Sequence, residues 1–155
     1  MTDVPDADVE NFLTRYESAL SAYDAHASAG LWGLPGMIIA DTFAGALDSR
    51  EQMAQGLTQS YPLYRALGLS RVGHTVIQRA DLTPRIVRLH VRWHFYGAED
   101  EHLVDGDYEY LLRRDDDGLH AYVAVARDEA EKVLELARRK GIDPSQFTGT
   151  GETAS

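Results

Sequence analysis

The feature that most constrains the fold is a set of three segments in the second half of the chain in which polar and apolar residues alternate. They are Arg85–Tyr96, Gly106–Arg114 and Leu119–Arg127. Such alternation is typical of strands with one buried face. A register with Trp93 opposite Tyr108 gathers apolar side chains on one face and pairs charges on the other; its further pairs are Val91–Tyr110, Leu89–Leu112, Arg92–Glu109 and His94–Asp107. Because such pairs stabilise antiparallel strands, the sequence predicts a sheet whose apolar face needs a cover of helices.

The same count continues into the third strand. Across the turn at residues 115–118 it places Val125 opposite Tyr108, Val123 opposite Tyr110 and Ala121 opposite Leu112. A further strand, Arg71–Arg79, precedes these three. Its two faces are similar in polarity, so a shift of one residue would move His74 from the outer face to the covered face. The sequence leaves that choice open.

The first half of the chain supplies the helices. Apolar residues recur every three or four positions from Val9 to Ala27, which predicts one amphipathic helix that ends before Gly30. Residues 31–34 should be irregular or helical, and Met37–Phe43 should form a mostly buried strand.

Two more helices are predicted from capping signals. Ser49 with Gln52 three positions later forms a capping box, and Gly68 should end the helix that it starts. Pro62 should bend or interrupt that helix. The last helix is predicted to be capped by Asp128 and to end near Lys140.

Helices in the first half and strands in the second indicate an α+β fold, in which a curved, cone-shaped antiparallel sheet wraps around the N-terminal helices. The chain has 155 residues, which suits one domain with a substantial core. We therefore predict a single domain over residues 1–143, including a C-terminal helix at 128–140. The small, polar residues 144–155 are predicted to be disordered.

Composition excludes several classes of function. The chain has no cysteine, so it has neither disulfides nor thiolate chemistry. A net charge of −10 opposes nucleic-acid binding, and no apolar stretch is long enough to cross a membrane. Its first residues are acidic and polar, unlike a secretory signal. We expect a cytoplasmic protein.

The order of these elements resembles the nuclear-transport-factor-2-like superfamily, and within it the SnoaL-like and ketosteroid-isomerase-like branch. The local resemblance lies in residues 15–24 of the first helix, in Met37–Phe43 with the Ala44-Gly45 turn, in Ser49–Glu51, and in residues 106–110 leading into 115–118. It covers roughly residues 4–127. The resemblance implies a cystatin-like roll that encloses a pocket, with many members dimerising through the outer face of the sheet.

The resemblance also implies roles for individual residues. Tyr16 falls where the family presents a tyrosine donor to a substrate oxygen, and Asp41 falls where it places the general base. Independently of the family, an aspartate among apolar side chains would be desolvated, which raises its pKa and suits a base near neutral pH. The family's third group is a protonated aspartate, and this chain has Tyr110 at the nearest inward position.

The aromatic side of the sheet is the predicted ligand surface. Its expected ligand-binding residues are Trp32, Phe43, Val91, Trp93, Tyr108 and Val123. These residues would favour a flat, mostly apolar molecule, or they could instead fill the cone as core. His74, if it faces inward, would be a second acid–base group beside Asp41.

No metal site and no cofactor are expected. His90 and His94 lie roughly 13 Å apart along one strand face and cannot share an ion, and His26, His102 and His120 lack partners at metal spacing. The outer face, with Ile86, His90, Leu111, Tyr122 and Ala124 among charges, has the composition of an interface and predicts a homodimer.

Two functions remain open from the sequence. The first is a protein that binds a small apolar molecule, with Asp41, Tyr16, Tyr110 and His74 as candidates for proton-transfer chemistry such as isomerisation, cyclisation or dehydration. The second is a non-catalytic dimerisation or protein-interaction module whose cone is filled by its own side chains. An empty pocket of at least ~300 Å³ that reaches Asp41 would favour the first.

Overall fold

A computed structural model describes residues 4–146 and shows one six-stranded sheet that is covered on one face by helices. The strands are β1 (Trp32–Ala40), β2 (Phe43–Leu47), β3 (Arg71–Asp81), β4 (Ile86–Tyr96), β5 (His102–Asp115) and β6 (Gly118–Ala126). Their order across the sheet is β2-β1-β6-β5-β4-β3. The predicted α+β class with a curved sheet is confirmed. The sheet is not wholly antiparallel, since β1 pairs with β6 in parallel.

Over residues 4–146, five α-helices accompany the sheet: α1 (Asp6–Ser21), α2 (Ala25–Ala29), α3 (Arg50–Thr58), α4 (Tyr61–Leu67) and α5 (Glu129–Lys140). Residues Pro144–Gln146, which we predicted to be disordered, form a 3₁₀ turn. The remainder of the predicted tail lies outside the described residues.

The single N-terminal helix predicted from the sequence is two helices. Tyr23 adopts φ 55°, a left-handed conformation that ends α1, and the Asp24 side chain then accepts a hydrogen bond from the Ala27 amide and caps α2. The apolar spacing continues through this break, which is why periodicity alone did not reveal it.

The second predicted helix is also divided. Ser49 caps α3 by accepting from the Gln52 amide at 3.1 Å, as the capping box predicted. Pro62 lies in the first turn of α4, where a missing amide costs nothing, so it begins a new helix instead of bending an old one. Gly68 ends α4 at φ 90°.

The region predicted as one strand at residues 37–43 is a hairpin. β1 begins already at Trp32 and passes through a cis Leu34–Pro35 bond, and Asp41-Thr42 form its two-residue turn. Ala44 and Gly45, predicted as the turn, pair with Ile39 and Ile38 inside β2.

The predicted register between β4 and β5 is wrong by two residues. Val91 pairs with Tyr108 and Leu89 with Tyr110, whereas Trp93 lies opposite Gly106. Because side chains alternate with a period of two, an even shift leaves every residue on its predicted face. Trp93 and Leu89 are accordingly buried.

A bulge in β6 changes the face of the residues that come after it. Leu112 pairs with Ala121 as predicted, but Leu111 pairs with Val123, so Tyr122 is the extra residue. Beyond this point Ala124, not Val123, turns toward the helices, and it is only 2% exposed. Val123 and Val125 therefore move to the outer face, and Ala124 leaves it.

Candidate functional site

The helices and the concave face of the sheet enclose a cavity of about 390 Å³. Its lining is mostly apolar and aromatic. The sheet contributes Trp32, Ile38, Phe43, Gly45, Leu47, Trp93, Phe95, Tyr108, Tyr110 and Ala124. The helices contribute Tyr16, Leu20, Gln52, Gln55, Gly56, Leu57, Tyr61, Tyr64 and Glu129, and the link between α3 and α4 contributes Gln59 and Ser60.

Two phenols in this cavity are each positioned by an indole. The Trp32 Nε1–H donates to the Tyr16 hydroxyl at 3.2 Å, and the Trp93 Nε1–H donates to the Tyr110 hydroxyl at 2.8 Å. The two phenol rings lie 6.5 Å apart. In each case the phenol oxygen acts as the acceptor, so its own proton is available to an acceptor atom of a ligand.

Burial keeps both phenols protonated. Desolvation raises the pKa of Tyr16 and of Tyr110 well above the ordinary value of 10.0. A neutral phenol in a dry cavity is a hydrogen-bond donor and can stabilise negative charge that develops on an oxygen. Tyr16 and Tyr110 thus both line the cavity, on the side predicted from the sequence.

The carboxyl group at the cavity wall is Glu129, which we did not predict. It is the first residue of α5, and each of its oxygens accepts one phenol proton. Tyr64 donates to Oε2 at 2.5 Å and Tyr108 donates to Oε1. The Tyr108 ring stacks on Tyr110 at 5.7 Å, so the carboxyl group and the Tyr16–Tyr110 pair face the same space.

The start of α5 is fixed to β5 by hydrogen bonds at Asp107. The Arg127 amide donates to the Asp107 carbonyl at 3.0 Å, and the Asp107 amide donates to the Asp128 carboxylate at 3.0 Å. Asp128 thus binds the sheet and does not cap the helix with its side chain, contrary to our prediction. Gly106 leaves room for this approach, since a Cβ there would lie 3.2 Å from Glu129 Cγ.

Glu129 is partly buried, and desolvation raises its pKa above the ordinary value of 4.5; the hydrogen bonds from Tyr108 and Tyr64 oppose that rise only in part. A carboxyl group with a raised pKa is a stronger base than an exposed glutamate and also gives its proton back more slowly. Such a group is suited to proton transfer near neutral pH.

Sequence reasoning missed Glu129 because an acid in the first turn of a helix is usually solvated and stabilises the helix dipole. The residues 128–131, Asp-Glu-Ala-Glu, look like an ordinary N-terminus. The one available signal was the position of Glu129 three residues after the end of β6, whose last residue, Ala126, pairs with Tyr108.

Asp41 is not part of the cavity. It lies exposed in the turn between β1 and β2, where water solvates its carboxylate, and it is outside the lining. The expected desolvation is absent because the apolar residues around Asp41 in sequence belong to two strands that both end at the turn.

Four of the six predicted ligand-binding residues line the cavity: Trp32, Phe43, Trp93 and Tyr108. Val91 does not: it is buried in the core, outside the lining. Val123 does not, because the β6 bulge turns it to the outer face.

His74 faces the helices, yet it contacts α1 and not the cavity. Its Nδ1 contacts Glu17 and its Nε2 lies 2.9 Å from Glu10 Oε1, while its ring packs edge-on against Trp93. Burial alone lowers the pKa of His74, but the hydrogen bonds and charges of Glu17 and Glu10 outweigh it, so the pKa is raised above 6.5. The imidazolium links α1 to β3.

This link predicts a pH-dependent stability. A raised folded-state pKa contributes stability that is fully present below the unfolded pKa and is lost as pH rises through the folded pKa. We expect His74→Gln to lower the free energy of unfolding by up to about 1 kcal/mol at about pH 5.5 and by less at about pH 9. Urea unfolding of this variant and of the exposed-site control His26→Gln measures the effect; an equal loss at both pH values would contradict it.

The histidines on the outer face do have partners. As expected, His90 and His94 do not converge, since His90 contacts Asp107 at 2.7 Å and His94 contacts Asp105 at 2.8 Å. The expectation that His102 and His120 lack partners at metal spacing is wrong. Within the described part of the chain, two groups bring ligand atoms within 4.8 Å of one another: His94, His102 and Asp105; and Asp115, Asp117 and His120.

The outer face also carries a charged cluster at its centre. Asp107 is 6% exposed and accepts two hydrogen bonds from Arg92, at 2.9 and 3.0 Å. The Arg92 hydrogen bonds are the main cause that lowers the pKa of Asp107 to about 2. The homodimer through this face stays a prediction. Among residues 4–146, no helix is long and apolar enough to span a bilayer.

The fold and cavity define an α+β domain of the cystatin-like type. Residues 6–129 match the family model described as "NTF2-like protein (DUF6841)", and the chain belongs to this NTF2-like family. The predicted superfamily is thereby confirmed. The family match ends at Glu129, so nearly all of α5 lies beyond it.

Solved structures agree on the fold. An NTF-2 like protein of unknown function from Shewanella oneidensis is similar with a TM-score of 0.64 and 18% identity, over 80% of this chain and 99% of that one. A cystatin-like domain of unknown function from Nostoc punctiforme gives 0.63 and 14%, over 92% and 91%. A ketosteroid isomerase-like protein from Erwinia carotovora atroseptica gives 0.58 and 11%, over 78% and 93%. No curated protein matches the chain.

Proposed function

We propose that the protein binds a small, uncharged, largely apolar molecule in this cavity and catalyses proton transfer on it. The observation that carries the proposal is the Glu129 carboxyl group, held by Tyr64 and Tyr108 in the wall of a 390 Å³ cavity. That volume lies within the range of small-molecule sites. It also argues against a cone filled by its own aromatic side chains, which was the alternative, although the cavity does not reach Asp41 as the first function had required.

The charges of the lining support an uncharged ligand. Among the described residues, the lining includes no lysine, arginine or histidine, and Glu129 is its one carboxyl group. An anionic ligand would therefore be desolvated beside a carboxylate without a counterion, which is unfavourable. The glutamines at positions 52, 55 and 59 provide neutral donors and acceptors.

The arrangement suits a proton shift next to a carbonyl group. Glu129 takes a proton from the carbon beside the carbonyl, and the electron pair of that C–H bond moves to the carbonyl oxygen. Tyr16 and Tyr110 donate hydrogen bonds to this oxygen as its charge develops. In a β,γ-unsaturated ketone the enolate is conjugated with the C=C bond, so Glu129 returns the proton to the γ-carbon and the double bond moves into conjugation with the carbonyl; the net change is an isomerisation. The ketosteroid isomerase-like neighbour supports this class of chemistry only through its shared fold.

The binding half of the proposal is tested by filling the cavity. We expect Ala124→Phe to weaken binding of polycyclic ketones at least about 100-fold, because its side chain would occupy ligand volume. Val123→Phe adds the same group one residue away on the outer face and should leave binding unchanged. Binding is measured as a ligand-dependent rise in melting temperature. For the natural chain, a free ligand concentration of 100 times Kd stabilises the folded state by about 2.7 kcal/mol.

Two results would overturn this half. One is equal binding by Ala124→Phe and the natural chain. The other is a preference for the carboxylate analogues of the same ketones, which the uncompensated Glu129 should repel.

A further inference from the structure

We infer that the outer face of the sheet carries a divalent metal site of the zinc class, formed by His94, His102 and Asp105. His94 Nδ1 lies 2.8 Å from Asp105 Oδ1, and His102 Nε2 lies 2.7 Å from the same oxygen. The three ligand atoms all lie within 4.8 Å of one another. The site is separate from the cavity and does not depend on the proposed function.

The backbone brings the three residues together in a way that sequence spacing does not. Asp105 is the direct cross-strand partner of His94, and His102 pairs with Tyr96, two residues further along β4. Both histidines therefore project from the β4–β5 hairpin toward one carboxylate. The Tyr96 ring packs edge-on against His102 at 5.8 Å and limits its rotation.

The ligand types and distances fit a late first-row divalent ion. Imidazole nitrogen and carboxylate oxygen bind Zn²⁺ at about 2.0–2.2 Å, so neighbouring ligand atoms in a tetrahedral site lie about 3.3 Å apart. The present contacts must open by about half an ångström, which the half-exposed His102 can provide. Three protein ligands leave a fourth position for water.

Thr75 supplies an outer contact that suits a metal ligand. Its Oγ1 lies 2.8 Å from His94 Nε2, the ring nitrogen that does not face Asp105. When Nδ1 binds a metal, Nε2 carries the proton and donates it to Thr75. Histidine ligands are commonly fixed in this way, and loss of the outer partner typically costs 10–100-fold in affinity.

The second cluster is a weaker candidate and serves as a control. Asp115 already accepts hydrogen bonds from Arg113 at 2.7 Å and Tyr122 at 2.6 Å, in addition to His120. A cation there would have to compete with the Arg113 guanidinium. Asp105, by contrast, has only the two histidines as hydrogen-bond donors among the described contacts.

The test is titration of the tag-free, chelator-treated full chain with Zn²⁺ by calorimetry, with Co²⁺ absorption as a report of coordination geometry. We expect one ion per chain, a loss of at least about 100-fold in affinity for His102→Ala and Asp105→Asn, and a loss of about 10–100-fold for Thr75→Val. His26→Ala and Asp117→Asn should bind as the natural chain does. Circular dichroism checks that each variant is folded.

Three results would overturn the inference: no stoichiometric binding by the natural chain, unchanged affinity in His102→Ala and Asp105→Asn, or loss of binding in Asp117→Asn. Because none of these variants touches the cavity, ketone binding should remain in all of them. A failure of the metal site is thereby distinguished from a failure of the proposed function.

Discussion

Replacement of Glu129 by glutamine is expected to lower kcat for ketone isomerisation by about 10²–10⁴-fold, the usual contribution of a general acid–base group. Glutamine keeps the size of the side chain and can still contact the hydroxyls of Tyr64 and Tyr108, so the cavity should keep its shape. An amide cannot accept and return a proton at neutral pH. Steady-state kinetics on a β,γ-unsaturated ketone that binds the natural chain measures the loss.

The matched control is Glu131→Gln, which changes an exposed acid on the same turn of α5. It should leave kcat unchanged. The natural chain should gain activity as pH rises through a pKa above 4.5, because burial raises the pKa of Glu129 and the carboxylate is the base. Equal kcat in Glu129→Gln and the natural chain would remove Glu129 from the mechanism while leaving ligand binding intact.

Replacement of Trp93 by alanine is expected to lower the free energy of unfolding by about 3–5 kcal/mol. The indole is 2% exposed, it packs against Tyr16 at 5.6 Å, and its Nε1–H is the donor that positions Tyr110. The substitution therefore creates a large void and also leaves the buried Tyr110 oxygen without its donor. Urea unfolding followed by circular dichroism measures the change.

Leu134→Ala is the control for this experiment, since Leu134 is 45% exposed on α5 and should change stability by no more than about 0.5 kcal/mol. A loss below about 1 kcal/mol for Trp93→Ala would mean that the concave face is not packed as described.

The fold was predictable because it depends on the spacing of polar and apolar residues, which can be counted along the sequence. Alternation fixed which residues of β4 and β5 face the helices, and an error of two residues in their register did no harm because the period is two. Errors arose where one residue changes the geometry: Tyr23 in a left-handed conformation divides the first helix, and the extra Tyr122 turns Ala124 inward.

The candidate site was only partly predictable. Tyr16, Tyr110, Trp93 and Tyr108 lie on regular elements, so their faces could be counted. Asp41 and Glu129 lie at the ends of elements, where a carboxylate is buried or solvated according to tertiary packing that no local pattern records. Glu129, unlike Asp41, lies in the cavity wall because the hydrogen bonds of residues 127–128 with Asp107 hold the start of α5 against the sheet.

The attachment of α5 to the sheet has an evolutionary consequence. The family model ends at residue 129, so the acid lies at the last matched position and the rest of α5 lies beyond the match. Substitutions at the few positions after β6 can then add, remove or replace the carboxyl group without changing the sheet or the helices that enclose the cavity. Relatives with superimposable sheets should therefore be sorted by the residues that come directly after their last strand.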